Sequence, residues 1–464
     1  MDAASQPLTA AGDEYTQPTG QAEAPPSTVA DTLRYLGPSV IITATIVGSG
    51  EIILTASLGA AVGYSMLWWV LFSCWSKSIL QAELARYIVL SGDTYLRMLN
   101  RIPGKIPGPK QPFSWPIGLG LIGFATGITA LGGLIGGAGL AVSLVLPELP
   151  TIYAVAGLAV LTAALLWTGQ YNRLQSIMLV FVVSFTLITV TSALLMQDTD
   201  YATTAADIIS GFTFEWHVSF AVMALAAYGF TGVNAGEIAA YTYWCIEKGY
   251  PARIGPFEDT PAWYERAHGW LKVLRTDVWF TLVILTCATI PFYFLGAGVL
   301  HRIGETPEGT ETVRRLSAMF TEVLGAWSLI LFAIGAFCIL YSSTVAAVAA
   351  GGRYIPDYLI ELGFMSRERV DLRHKIIRWY GLIVPFIGLG MYWGFQNPVL
   401  MVTIGACFAA FMLPIQSGIT IYLQKKRLPE AVQPHWPAKY LLRILFVVQA
   451  VLAALVIYFP ILGD

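Results

Sequence analysis

Eleven apolar stretches, each close to 20 residues or longer, follow one another through this chain and leave little of it for anything else. A hydrocarbon core about 30 Å thick is crossed by roughly 20 residues of helix, which satisfies its own backbone polar groups. The stretches run approximately over 38–61, 64–90, 115–146, 151–168, 174–196, 216–246, 277–299, 324–350, 377–395, 397–423 and 438–460. They predict an all-α polytopic membrane protein with eleven transmembrane helices, forming a single transmembrane domain over 38–464. Composition agrees: 56% of the 464 residues are apolar and 12% charged, against about 45–50% and 25% in soluble proteins. A soluble enzyme is excluded on that ground.

The first thirty residues are rich in Ala, Ser, Thr, Pro and Gln and lack the charged and apolar regions of a cleaved signal. Residues 1–37 therefore read as a disordered cytosolic tail. A net charge of −2 offers no basic surplus for nucleic acid. The five cysteines show no CxxC spacing, so neither a disulfide framework nor a zinc site is expected. No nucleophile–base pair, metal triad or GxxxxGK[ST] motif is present, so enzymatic activity, a bound cofactor and direct ATP drive are not expected.

Basic loops stay cytoplasmic. With the N-terminus inside, inner loops hold Arg97, Arg101, Lys105, Lys110, Lys248, Arg253, Arg266, Lys272, Arg275, Arg353, Arg367, Arg369, Arg373, Lys375, Arg378, Lys425, Lys426, Arg427 and Lys439, whereas outer loops hold only Arg302, Arg314 and Arg315. The chain is expected in a plasma (inner) membrane, N-terminus cytoplasmic and C-terminus external. Pro261 to Leu274, with Trp263, Tyr264, Trp270 and Leu271 among charges, reads either as a short helix on the inner surface or as an ordered loop.

Span 1 reads Val47-Gly48-Ser49-Gly50-Glu51-Ile52 in its middle, and span 6 reads Val233-Asn234-Ala235-Gly236-Glu237-Ile238. Both share a Val-x-small-Gly-Glu-Ile core. Glycine weakens a helix, and a carboxylate at bilayer depth costs about 2.5–3.5 kcal/mol on insertion scales unless it faces a cavity or a partner. Matched breaks in spans 1 and 6 are the pattern of inverted repeats, spans 1–5 and 6–10, around a midplane site. Two readings stay open: the carboxylates bind a cation, or each caps its second half-helix at the positive end of the helix dipole.

Gly48 to Arg86 resembles the first two helices of the Nramp divalent-metal transporters, especially Gly59-Ala-Ala-Val-Gly-Tyr-Ser-Met-Leu-Trp68 followed by Gln81 and Ala85-Arg86. Span 8 resembles them again in Ser342-Ser343-Thr344-Val345 and Ala350-Gly351, and Tyr171, Arg173 and Leu174 fit more loosely. The resemblance implies the LeuT-type fold, alternating access, and uptake of a divalent metal, usually with protons. The departures fall in the site. The family's Asp-Pro-Gly-Asn lies on Gly48, Ser49, Gly50 and Glu51, and its Met-Pro-His on Asn234, Ala235 and Gly236. The Ala that supplies a carbonyl lies on Thr231, the span 10 Gln on Ala406, and span 3 from Trp115 to Leu146 holds no ionisable residue. The chain thus resembles a divergent branch of that family.

Losing the thioether and gaining carboxylates moves the site from soft to hard ligands, suited to magnesium, calcium and manganese. Glu51, Glu237 and the Asn234 oxygen form the candidate metal-ligand set. Carbonyls near Val47, Gly48 and Thr231 bring the substrate site to about six oxygens. Lys77, mid-span 2, reads either as a snorkelling residue or partner of Glu83, or as an internal cation that neutralises the empty acidic site and leaves when substrate arrives. Arg86 reads as a snorkelling anchor. Ser342, Ser343 and Thr344 read as hydroxyls for a coupling sodium ion, as in some LeuT-type transporters, or as interhelical glue. No His is placed as a midplane ligand. The expected partners are the lipid bilayer and a small inorganic cation. The alternatives are a sodium- or proton-coupled carrier of an organic cation or amino acid, or a non-transporting sensor.

Overall fold

The computed structural model describes residues 22–36, 48, 50–168, 171–307 and 309–462. In chain order the helices are α1 (Val29–Tyr35), α2 (Gly50–Val62), α3 (Leu67–Ser91), α4 (Tyr95–Asn100), α5 (Trp115–Val145), α6 (Thr151–Thr168), α7 (Tyr171–Leu195), α8 (Ala221–Phe230) and α9 (Ala235–Glu247). They continue as α10 (Pro261–Ile303), α11 (Thr312–Leu324), α12 (Ser328–Glu361), α13 (Val370–Phe395), α14 (Pro398–Arg427) and α15 (Trp436–Leu462). A two-stranded hairpin, Lys105–Ile106 with Phe113–Ser114, lies in the loop after α4.

Each apolar stretch has its helix, with α8 and α9 sharing span 6. Among the described residues, eight segments are long and apolar enough by themselves to cross a bilayer. The other three spans are α2, α3 and α7. In α3 the cause is chemical, since Lys77, Glu83 and Arg86 interrupt its apolar run. That helix can hold them because it lies inside the bundle, and all three are buried. On α7, by contrast, Val180, Val183, Leu187 and Leu194 are exposed at 65%, 49%, 62% and 66%. Their spacing puts them on one stripe, the expected lipid face.

Three features depart from the sequence reading. Within the stretch read as a tail, residues 22–36 include a helix, α1, capped by the Thr28 hydroxyl on the Asp31 N–H, and the segment docks on Tyr250, Arg253 and the first part of α10. Trp270 Nε1 donates to the Glu23 carbonyl at 3.0 Å, Arg253 pairs with the Glu23 carboxylate at 2.8 Å, and Tyr250 OH donates to the Tyr35 carbonyl at 2.9 Å. The Arg253 guanidinium stands over both the Tyr35 and the Trp270 rings. Pro261 to Leu274 is neither a loop nor a surface helix but the first part of α10, with Trp263, Trp270, Leu271 and Leu274 buried in protein. Arg86 does not snorkel; it pairs with Glu83 at 2.9 Å, and both side chains are buried.

Small residues let the half-helices approach one another. A Cβ on Gly229 of α8 would stand 1.9 Å from the Ala406 carbonyl oxygen of α14, and one on Gly296 of α10 would stand 2.4 Å from the Ala56 oxygen of α2. Backbone contact of this kind replaces the hydrophobic drive that helices lack in lipid. Gly229→Ala is therefore expected to destabilise the protein by about 1–3 kcal/mol, as overpacking does. A thermal midpoint in detergent equal to that of the wild type would show that α8 and α14 are not in backbone contact.

Candidate transport site at the two broken helices

Span 6 breaks because its backbone turns between α8 and α9. Thr231 is extended, Gly232 takes a φ of +72°, and Asn234, extended again, caps α9. Gly232 meets two demands: a left-handed conformation, and the absence of a Cβ, which would stand 3.1 Å from the Cys74 Cα on α3. Asn234 and Glu237 then form a reciprocal capping box. The Glu237 N–H donates to Asn234 Oδ1 at 2.9 Å, and the Asn234 N–H donates to Glu237 Oε2 at 2.8 Å.

Span 1 repeats one half of this box. The Gly48 N–H donates to Glu51 Oε2 at 3.0 Å, from three residues ahead of the carboxylate, as Asn234 does to Glu237. The other half is missing, since Gly48 has no side chain, and Gly50–Thr55 winds as a π-helix where α9 is α-helical. Glu51 has further partners: its Oε1 accepts from the Gly232 N–H at 3.2 Å and from Thr289 Oγ1 of α10 at 3.3 Å. It is fully buried, whereas Glu237 is half-buried. The Thr55 and Thr231 hydroxyls, 2.7 Å apart, add a second link between the two breaks.

Lys77 pairs with neither Glu83 nor solvent. Fully buried, its ammonium donates to the carbonyl oxygens of Tyr228 and Thr231, where α8 ends. A cation is favoured there because the last carbonyls of a helix have no intrahelical donor and carry its negative end. Ser73 Oγ donates to the same two oxygens, at 3.2 and 3.0 Å. Lys77 is within electrostatic range of both Glu51 and Glu237, which also act on each other.

A cavity of about 250 Å³ extends from this break toward the end of the bundle that carries the 92–114 loop. Asn234 and Glu237 line it where α9 begins, and Tyr95, Tyr358 and Gln416 line it farther along. Its walls include Phe230, Trp244 and small residues of α5 and α12. Gln416 Nε2 donates to Tyr95 OH and to the Ala235 carbonyl, both at 2.8 Å, while its buried Oε1 has no partner among the described residues.

The structure therefore brings Glu51, Glu237, Asn234, Gly48, Thr231 and Lys77 together. Val47 lies outside the described residues. The Gly48 carbonyl accepts from the Ile52 N–H, and that of Thr231 is held by Lys77 and Ser73. Among the described residues no group of three or more His, Cys, Asp and Glu is placed to hold a metal. Ser343 lines the cavity, while the Ser342 and Thr344 hydroxyls bond back to carbonyls of their own helix. Sequence reasoning missed Ser73, Gly232, Thr289 and Gln416. Ser73 carried a signal, standing four residues before Lys77 on the same face of an otherwise apolar helix.

A bundle of apolar helices with span 6 broken between Thr231 and Asn234, and a cavity and a carboxylate at that break, is the architecture of a secondary transporter of the LeuT-type fold. Solved structures agree. A mutant of the Eremococcus coleocola manganese transporter superposes with a TM-score of 0.65 at 12% identity, covering 96% of this chain and 92% of its own. Mhp1, a nucleobase-cation-symport-1 family transporter solved with bromovinylhydantoin, gives 0.56 at 15% identity over 91% of both chains. MhsT in complex with L-phenylalanine gives 0.57 at 14% identity over 94% and 99%. The chain belongs to the Nramp family: the profile described as Natural resistance-associated macrophage protein-like matches residues 39–199 and 260–459. An uncharacterized protein of Pasteurella multocida (strain Pm70) is 27% identical over 388 residues, 81% of each chain. The unmatched interval, 200–259, contains the whole of span 6 with Asn234 and Glu237.

Proposed function

We propose that this chain moves a divalent metal cation across the membrane by alternating access, and that Glu237 is the carboxylate its cargo meets first. The observation that carries the reading is the position of that carboxylate: fixed by a capping box at the break of span 6, half-buried, and facing the cavity. Family membership and the likeness to a manganese transporter support a metal cargo. Glu51, Glu237 and Asn234 supply oxygen donors, and no thioether stands beside them in either break. Hard ions are preferred by such a set. In liposomes, manganese or magnesium should be taken up in preference to cadmium; cadmium outcompeting both would overturn the ligand assignment.

A second reading, an organic cation, is favoured by one observation. The cavity walls are mainly apolar and aromatic, with Phe124, Phe230, Phe408 and Tyr354 around a single carboxylate, as cation–π recognition of an ammonium requires. Calorimetry on purified protein separates the two: heat from Mn²⁺ and none from methylammonium supports the metal, and the reverse supports the amine.

Coupling and orientation follow as expectations of the same reading. With no carboxylate on α5, uptake should acidify the liposome lumen weakly or not at all, and tight one-to-one proton cotransport would demand another route. The excess of Lys and Arg in alternate loops favours a cytoplasmic N-terminus, an inner membrane and Asp464 outside; a reporter fused at Asp464 that is active only inside the cell would refute that topology.

A further inference from the structure

Ser73, Lys77 and Gln81 follow one another at intervals of four along α3, so they stand on one face, a turn apart. That face meets the end of α8. Ser73 and Lys77 share the Tyr228 and Thr231 carbonyls. Gln81, one turn on, is fully buried, and among the described residues neither its oxygen nor its nitrogen has a partner. Buried amides of this kind are uncommon, because a polar group removed from water and left unbonded costs free energy. An unused acceptor one turn along the same helix face gives a long, flexible ammonium side chain a second place to rest.

We propose that Lys77 is the resident cation of the transport site: its ammonium holds the Tyr228 and Thr231 carbonyls while cargo is absent and moves to the Gln81 oxygen when a cation arrives. This rests on the reading that a cation binds at Glu237 and Glu51. The Thr231 carbonyl is the contested group, since one oxygen cannot serve an ammonium and a cargo ion in close contact without like-charge repulsion. Charge balance explains the use. An empty carrier has to reorient with two carboxylates at bilayer depth, where unpaired charge is expensive. Lys77 compensates one of them within the protein, so the return step needs no second ion at that position. When cargo is bound, its own charge takes over that task and the lysine is released.

The test uses the full chain in liposomes, with Mn²⁺ as probe, or methylammonium if calorimetry selects amines. Lys77→Met should bind the probe about tenfold more tightly or better, retain exchange of internal for external probe, and lose net uptake by about tenfold or more. Gln81→Leu should bind the probe about tenfold more weakly, because the displaced ammonium then has no acceptor, while its thermal midpoint stays level or rises as the unbonded amide is removed. Should Lys77→Met fail to fold, the Gln81→Leu affinity decides alone. Wild-type affinity and net uptake in the variants that fold overturn the lysine's role and leave the cation site standing. A wild-type protein that binds neither probe overturns the cation site, and the lysine's role with it.

Discussion

Glu237→Gln is expected to weaken cation binding by about 10–100-fold, with a matching loss of uptake, while leaving a folded protein. The amide keeps the length of the side chain, and its oxygen can accept from the Asn234 N–H as Oε2 now does at 2.8 Å. The structural cost is the lost charge at the start of α9, about 0.3–1 kcal/mol. The functional cost is larger. Glu237 is the only acidic side chain lining the cavity among the described residues, and a hydrogen bond or contact to a charged group is worth about 1.5–3 kcal/mol, roughly a 10–100-fold loss in affinity from this residue alone. Binding by calorimetry and uptake in liposomes, beside a thermal midpoint, check it. Normal uptake with a slightly lowered midpoint would make Glu237 a helix cap and nothing more.

The second large effect is expected at Glu51, and it is of another kind. Glu51→Leu removes the acceptor of two backbone N–H groups, Gly48 and Gly232, and of the Thr289 hydroxyl. These donors lie in buried protein at bilayer depth, where water does not replace the lost partner. About 1–3 kcal/mol per orphaned donor is enough to unfold a marginally stable protein. Loss of monodisperse protein on size exclusion is the expected result. Glu51→Gln, which retains one acceptor oxygen, should fold with an intermediate midpoint. Paired with Glu237→Gln, its losses in stability should add within about 0.3–0.5 kcal/mol, as for independent caps. Its losses in cation affinity should not add, since both carboxylates serve one shared site. A Glu51→Leu protein as stable as the wild type would mean that the bridge between the two breaks carries no weight.

Much of this architecture was legible in the residues. The spans announced themselves as apolar runs, and both breaks through glycine and glutamate at equal depth. Of the two open readings of those carboxylates, capping is the geometry observed; cation binding stays a proposal, resting on Glu237, the one of the two that lines the cavity. The partner of Lys77 was not legible, because its acceptors are backbone carbonyls set free by the break in α8 and carried to α3 by tertiary packing; carbonyls leave no mark in a sequence. The docking of residues 22–36 was hidden for a related reason. A polar tail gains its hold from one guanidinium over two rings of distant segments, which composition does not record. The start of α10 did carry a signal. Trp263, Trp270, Leu271 and Leu274 fall on one helical face, and the charges between them drew attention away from it.

That docked tail also sets the mechanics of the molecule. It fastens α1 and Glu23 to Arg253 and to Trp270 in the first part of α10, with Tyr35 packed against both. Near its other end α10 is clamped to α2, where Gly296 meets the Ala56 carbonyl and Tyr293 OH donates to the Gly63 carbonyl at 2.7 Å. One fastening holds α1 and the other α2, with α10 common to both, like rivets at the two ends of one plate. Tilting α10 would therefore first have to pull a rivet. The clasp at Glu23 is the one within reach of the surface, so the freedom of α10 to tilt depends in part on a stretch of chain remote from both acidic residues.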